Sequence, residues 1–64
     1  MAGTTKYFFE YRTKDLQPRS DVRNLTSMAA ARRHAYTIRD KEVTSVEIYR
    51  YDEKTDEHKL VGTV

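Results

Sequence analysis

No cysteine occurs anywhere in the chain, so there is no disulfide staple and no thiolate metal site. That absence makes the cytoplasm the expected setting. Glycine occurs only at Gly3 and Gly62, which excludes a glycine-rich phosphate cradle and a dinucleotide fingerprint. The single proline is Pro18. No apolar run approaches the ~20 residues needed to span a bilayer, and no charged-then-apolar opening stretch reads as a secretion signal. No nucleophile motif is present, and no cofactor, metal, membrane or small-molecule substrate is expected. What remains is a chain of 64 residues with 38% hydrophobic and 34% charged residues. At that length it forms one small domain, residues 1–64, that buries only about 60% of the surface of its unfolded form. Residues 1–4 are expected to be loose.

The net charge of +2 conceals an uneven distribution. Residues 12–41 carry eight basic against three acidic side chains, a balance of +5, whereas residues 42–64 carry three against six, a balance of −3. Such asymmetry suits either an anion-binding face or a dipolar surface that orients self-association.

One stretch, residues 25–39, has helical character. Met28, Ala31, Ala35 and Ile38 are spaced three, four and three apart and share one stripe of a helix. Thr26 or Ser27 is placed to cap its start, and the alanines at 29–31 favour its first turns. The stripe is thin, because Ala31 and Ala35 bring one methyl each, so a facing sheet must supply the bulk.

Residues 5–13 are aromatic, free of Gly and Pro, and read as a strand. Its uncharged face, Tyr7, Phe9 and Tyr11, is expected inward; Phe8, Glu10 and Arg12 point the other way. Residues 14–20 read as a turn region broken by Pro18 and Ser20. Residues 21–25 read as a short second strand, with an irregular loop as the alternative. The helix is expected to end near Arg39 or Asp40, with Arg39 and Lys41 favoured by its negative terminus and residues 40–42 as a polar connector. Residues 43–51 alternate as a strand with Val46 and Ile48 on one face and Glu47, Tyr49 and Tyr51 on the other. Residues 52–56 form a hairpin turn without glycine, which favours a four- or five-residue loop. Residues 58–64 return as the last strand, Gly62 allowing a bulge.

The order strand, short strand, helix, strand, strand predicts an α+β domain: a single helix on one face of a three- or four-stranded, mostly antiparallel sheet. The succession of strand, Ser/Thr, alanine-spaced helix, valine-rich strand, acidic turn and final strand resembles that of many short phage and prophage proteins of unassigned function. The resemblance covers most of the chain and implies a type of fold, with no activity attached.

Enzymatic function is not expected. His34 and His58 lack ligand spacing and read as surface residues, and the acidic tip (Asp52, Glu53, Asp56, Glu57) lacks the glycine and alternate spacing of a calcium loop. Two binding surfaces compete. With one helix, the opposite sheet face stays open and carries Phe8, Tyr49 and Tyr51, joined by Leu60 or Val61, with Glu10, Arg12, Glu47 and Lys59 among them. An apolar patch of this kind on a small domain marks a partner site, against the plainer reading that tyrosine suits half-exposed strands. The leading expectation is a protein-interaction module or regulator that pairs with itself or docks on a protein through this face (Phe8, Tyr49, Tyr51, Arg12) or a sheet edge. The alternative is nucleic-acid binding by Arg19, Arg23, Arg32, Arg33, Tyr36 and Arg39, because seven of the twelve basic residues are arginine and guanidinium forks match phosphate. Against it, arginine stems also cover apolar surface at a sheet edge.

Overall fold

The computed structural model describes residues 3–15, 17–40 and 43–64. Strand β1 runs Thr5–Arg12, β2 Pro18–Leu25, helix α1 Met28–Ile38, β3 Val46–Asp52 and β4 Glu57–Thr63. The four strands form one sheet in the order β2-β1-β3-β4, every neighbouring pair antiparallel. This is the expected α+β architecture with a fourth strand. Because β2 and β3 both run antiparallel to β1, they are parallel to each other. Parallel strands cannot be joined by a tight turn, so the helix serves as the crossover between them, and it packs on β3 and β2. Among the described residues the helix covers one side of the sheet and no element covers the other, which makes a slab measuring 39 × 22 × 15 Å.

Odd and even residues of β1 separate as the alternation predicts. Tyr7 and Phe9 are buried and Tyr11 packs against them, joined by Val46 and Ile48 from β3 and Ala31 and Ala35 from the helix. Met28, Ile38, Leu25, Val61 and Val64 close the rim of this core, and no charged or polar residue is buried among the described residues. The bulk comes from the sheet: the largest fully buried side chains are Phe9, Ile48 and Val46. Ser27 is the cap, its Oγ accepting from the Ala30 N–H at 3.1 Å. The helix ends at Ile38, with Arg39 as its C-cap and no basic residue in the last turn.

Three expectations are corrected. Pro18, Arg19 and Ser20 belong to β2, which extends back to pair Pro18 with Arg12. Pro18 is tolerated because it opens an edge strand, where its missing N–H interrupts no ladder. Strand β3 begins at Val46 rather than Val43. Val43 is buried all the same, held by a compact turn in which its N–H donates to Asp40 Oδ1 (3.0 Å) and its C=O accepts from the Asp40 N–H (3.0 Å). Lys59 pairs with Arg50, which pairs with Tyr7, so it lies on the helix side of the sheet. Residues 1–2, part of the stretch expected to be loose, and positions 41–42 of the connector, including Lys41, lie outside the described residues, as does residue 16 of the first turn.

Between β3 and β4 the register slips: Ile48 pairs with Gly62 and Tyr49 with Leu60, leaving Val61 as the extra residue of a bulge. Gly62 matters for closeness rather than backbone freedom. A Cβ there would sit 3.1 Å from the terminal methyl of Met28, so the missing side chain leaves room for the end of the Met28 side chain against β4. The hairpin turn spans the four residues 53–56, and Asp56 takes the left-handed conformation at φ 54° that Asp adopts more readily than bulkier residues.

Candidate functional site

On the side of the sheet away from the helix, the register aligns one residue from each strand. Val22 pairs with Phe8, Phe8 with Tyr49, and Tyr49 with Leu60. Three interstrand gaps of about 4.8 Å make this an apolar row roughly 14 Å long, perpendicular to the strands. Val22 is 45% and Leu60 54% exposed, while Phe8 and Tyr49 are half-buried only by their neighbours. Of the two residues considered for the β4 position, Leu60 takes it, because the bulge sends Val61 to the core. A shallow depression lined by Phe8, Glu10, Tyr49 and His58 opens beside the row.

The next row toward the Thr5 end of β1 is cationic and aromatic. The Lys6 ammonium lies 5.6 Å from the centre of the Tyr51 ring, within reach of the ring's negative face. His58, opposite Tyr51, stacks edge-on against Phe8 at 4.5 Å and tilts against Tyr51 at 5.1 Å. The Tyr51 hydroxyl donates to Asp56 Oδ1 at 2.5 Å. That bond, followed by partial desolvation, raises the phenol pKa above its ordinary 10.0 and keeps it a neutral donor.

The row on the other side is acidic. Glu10 and Glu47 pair directly across β1 and β3, an arrangement of like charges that costs stability. Tyr49 donates to Glu47 Oε2 at 3.3 Å. Partial desolvation, then the negative charge of Glu47 and Glu10, raises the Tyr49 pKa above 10.0. Arg12 stands one row further out, exposed at the end of β1.

The sheet edges are less receptive. The β2 edge presents Pro18, Arg19, Asp21 and Arg23, and β4 is interrupted by its bulge. Proline, charge and bulges all discourage strand addition.

The arginines divide. Arg19 and Arg23 pair with Tyr11 and Tyr7, so both lie on the helix side of β2. Arg23 Nε donates to Asp21 Oδ2 at 3.5 Å, and the same Oδ2 lies 2.6 Å from His34 Nε2. His34, expected at the surface, is half-buried. Its ring packs edge-on against Phe9 at 4.7 Å and its side chain is 22% exposed, tying the helix to β2. Its hydrogen bond is the main reason the Asp21 pKa falls below the ordinary 3.8. At ~100° per residue, Arg32 and Tyr36 each lie roughly 160° around the helix from His34, and about 40° from one another. Arg32 and Tyr36 therefore flank the side turned away from β2, Arg33 faces outward, and Arg39 stands at the C-cap. Tyr36 is 58% exposed. The six residues of the basic alternative are thus dispersed: Arg19 and Arg23 on β2, Arg32 and Tyr36 on the far flank of the helix, Arg33 outward and Arg39 at the C-cap.

Sequence reading placed Phe8, Tyr49, Tyr51 and Arg12 on the open face. It missed Val22, Lys6 and His58. Period-two alternation carries the signal for Lys6, two residues before Phe8, but Val22 and His58 join only through pairing register. Among the described residues, no three His, Asp or Glu side chains are placed to hold a metal, and no helix is long and apolar enough to cross a membrane. No family model, curated protein or solved structure matches the chain.

Proposed function

We propose that this protein is a small non-catalytic interaction module or regulator, acting in the cytoplasm by docking a protein through the open sheet face. The observation that carries this reading is the uninterrupted apolar row Val22–Phe8–Tyr49–Leu60, one residue per strand, which none of the described elements covers. Covering it would remove apolar surface from water at about 25 cal/mol per Å2. The core does not need it, since Phe9, Val46 and Ile48 fill the other side. The edges are a poorer docking point because of their charge, proline and bulge. Nucleic-acid binding ranks second, because its arginines are dispersed over β2, the far flank and outer side of the helix and its C-cap, and Arg23 is engaged by Asp21.

The test compares the wild type with Tyr49→Ser combined with Leu60→Ser, both folded by circular dichroism. Immobilised protein is exposed to cell extract with and without nuclease, and self-association is measured by sedimentation. A partner or second copy held by the wild type, lost by the variant and indifferent to nuclease supports the reading. Equal retention by both proteins, or retention abolished by nuclease, overturns it.

A further inference from the structure

We infer that the occupant of the open face is a second copy of this chain, related by a two-fold axis that lies along the Val22–Phe8–Tyr49–Leu60 row. This inference rests on the open face being the docking surface. It adds the identity of the partner and the orientation of the pair.

The argument comes from the order of charges on the face. Along β1 the even-numbered residues, all pointing away from the helix, are Lys6, Phe8, Glu10 and Arg12. The side chains two residues to either side of the apolar row are opposite in sign: Lys6 on one side, Glu10 with Glu47 on the other. Four residues out, the signs reverse. Arg12 lies beyond the acidic row, and the acidic hairpin with Glu53 and Asp56 lies beyond Tyr51. The face is therefore antisymmetric in charge about its apolar centre.

A closed dimer needs a self-complementary patch on a two-fold axis. Two in-plane directions bring one face onto its copy with the strands of the two sheets aligned. An axis along the strands sets Glu10 and Glu47 over the partner's Glu47 and Glu10, gathering four carboxylates. An axis along the apolar row inverts position along the strands instead. Apolar row then meets apolar row, Glu10 of each copy meets Lys6 of the other, and Arg12 comes over the other copy's acidic hairpin. Only this second arrangement sets the acidic row of one copy over the cationic row of the other.

Size and reach agree. Aligned sheets pack about 10 Å apart, a gap that a glutamate and a lysine extended toward each other can span. Four strands at ~4.8 Å and seven residues at ~3.4 Å outline roughly 450 Å2 per copy. Two copies then bury on the order of 1,000 Å2, the size of a weak but specific interface. The like-charge pair Glu10–Glu47, unfavourable in one copy, gains Lys6 of the other as a neighbour.

The experiment is a charge-reversal set measured by sedimentation from about 1 to 200 μM, a range that brackets an interface of this size. Lys6 and Glu10 are both exposed, so the variants keep the fold, which circular dichroism checks. The wild type is expected to dimerise within this range. Lys6→Glu alone and Glu10→Lys alone should each weaken it at least about tenfold, because each sets like charges against each other twice. Mixing the two single variants, or combining both changes in one chain, should restore dimerisation. A carbodiimide, which joins a carboxylate to an amine in contact, should link Glu10 of one copy to Lys6 of the other. A wild type that stays monomeric at the top of the range overturns the inference, while capture of another partner lost on Tyr49→Ser with Leu60→Ser leaves the docking face standing. Single variants that dimerise like the wild type, or a mixture that fails to recover, also overturn it.

Discussion

Phe8 and Phe9 are adjacent aromatic residues with opposite duties, because successive strand side chains point to opposite faces. Phe9 is fully buried against Ile48, Val46 and the ring of His34. Removing it as Phe9→Ala should cost about 3–5 kcal/mol. A chain of this length has a total stability of only about 3–10 kcal/mol, so the variant should be largely unfolded at room temperature by circular dichroism. Phe8→Ser, by contrast, should cost no more than about 1 kcal/mol in a denaturant titration, since Phe8 packs only on surface rings. The pair Asp21–His34 makes a second residue-level prediction. The folded Asp21 pKa is lower than its ordinary 3.8, so folding favours the ionised carboxylate. Its contribution is complete above the ordinary value and lost as pH falls through the lower folded one. Denaturation midpoints of the wild type and Asp21→Asn should therefore differ at pH 5 and converge as the pH falls below about 3.8. A constant difference down to pH 2 refutes the assignment.

At the scale of elements, the helix is built to lie close. Ala31 and Ala35 are fully buried and Met28 leans on Gly62, so there is no slack for a larger side chain beneath the helix. Ala35→Leu should destabilise by about 1–3 kcal/mol through overpacking, although leucine is nearly as good a helix former as alanine. Ser27→Ala should cost about 1 kcal/mol by leaving the Ala30 N–H without its acceptor. Both are read from chemical-denaturation curves. A neutral Ala35→Leu would mean that the helix floats above the sheet rather than packing on it. Strand β2 is held on one side only, as an edge, and its polar sequence PRSDVRNL is suited to that position. It was the element hardest to read, since a strand with no apolar alternation is recognisable mainly through the β1 residues that pair with it.

The whole molecule is one layer of helix on one layer of sheet, and its stability rests on a core of seven buried residues among those described. Association through the bare face adds stability by mass action, because a partner that binds only the folded state shifts the folding equilibrium. The wild-type melting temperature should accordingly rise with protein concentration across about two decades. Lys6→Glu should show a smaller rise or none, and its low-concentration value should match that of the wild type. A concentration-independent wild type contradicts pairing in this range. If pairing is the physiological state, the exposed Leu60 and Val22 are interface residues and not solubility liabilities.

Local chemistry was enough to establish much of this protein. Alternation in residues 5–13 separated Tyr7, Phe9 and Tyr11 from Phe8, Glu10 and Arg12, and the three–four–three spacing of Met28, Ala31, Ala35 and Ile38 identified the helix and its buried stripe. Those are properties of neighbours in the chain, set by side-chain periodicities of two and 3.6. The absence of a second helix implied a bare face. What the tertiary structure alone decided is which residues share that face across strands. Val22 enters the row through its register with Phe8, and Leu60 rather than Val61 enters it through a one-residue bulge. A single slip of register inverts every side chain beyond it; that is why Val61 reaches the core and Lys59 the helix side. The charge antisymmetry about the apolar row is likewise a property of the assembled sheet, because Glu47 and His58 lie 37 and 48 positions from Glu10 in the chain and meet β1 and its neighbours only through pairing.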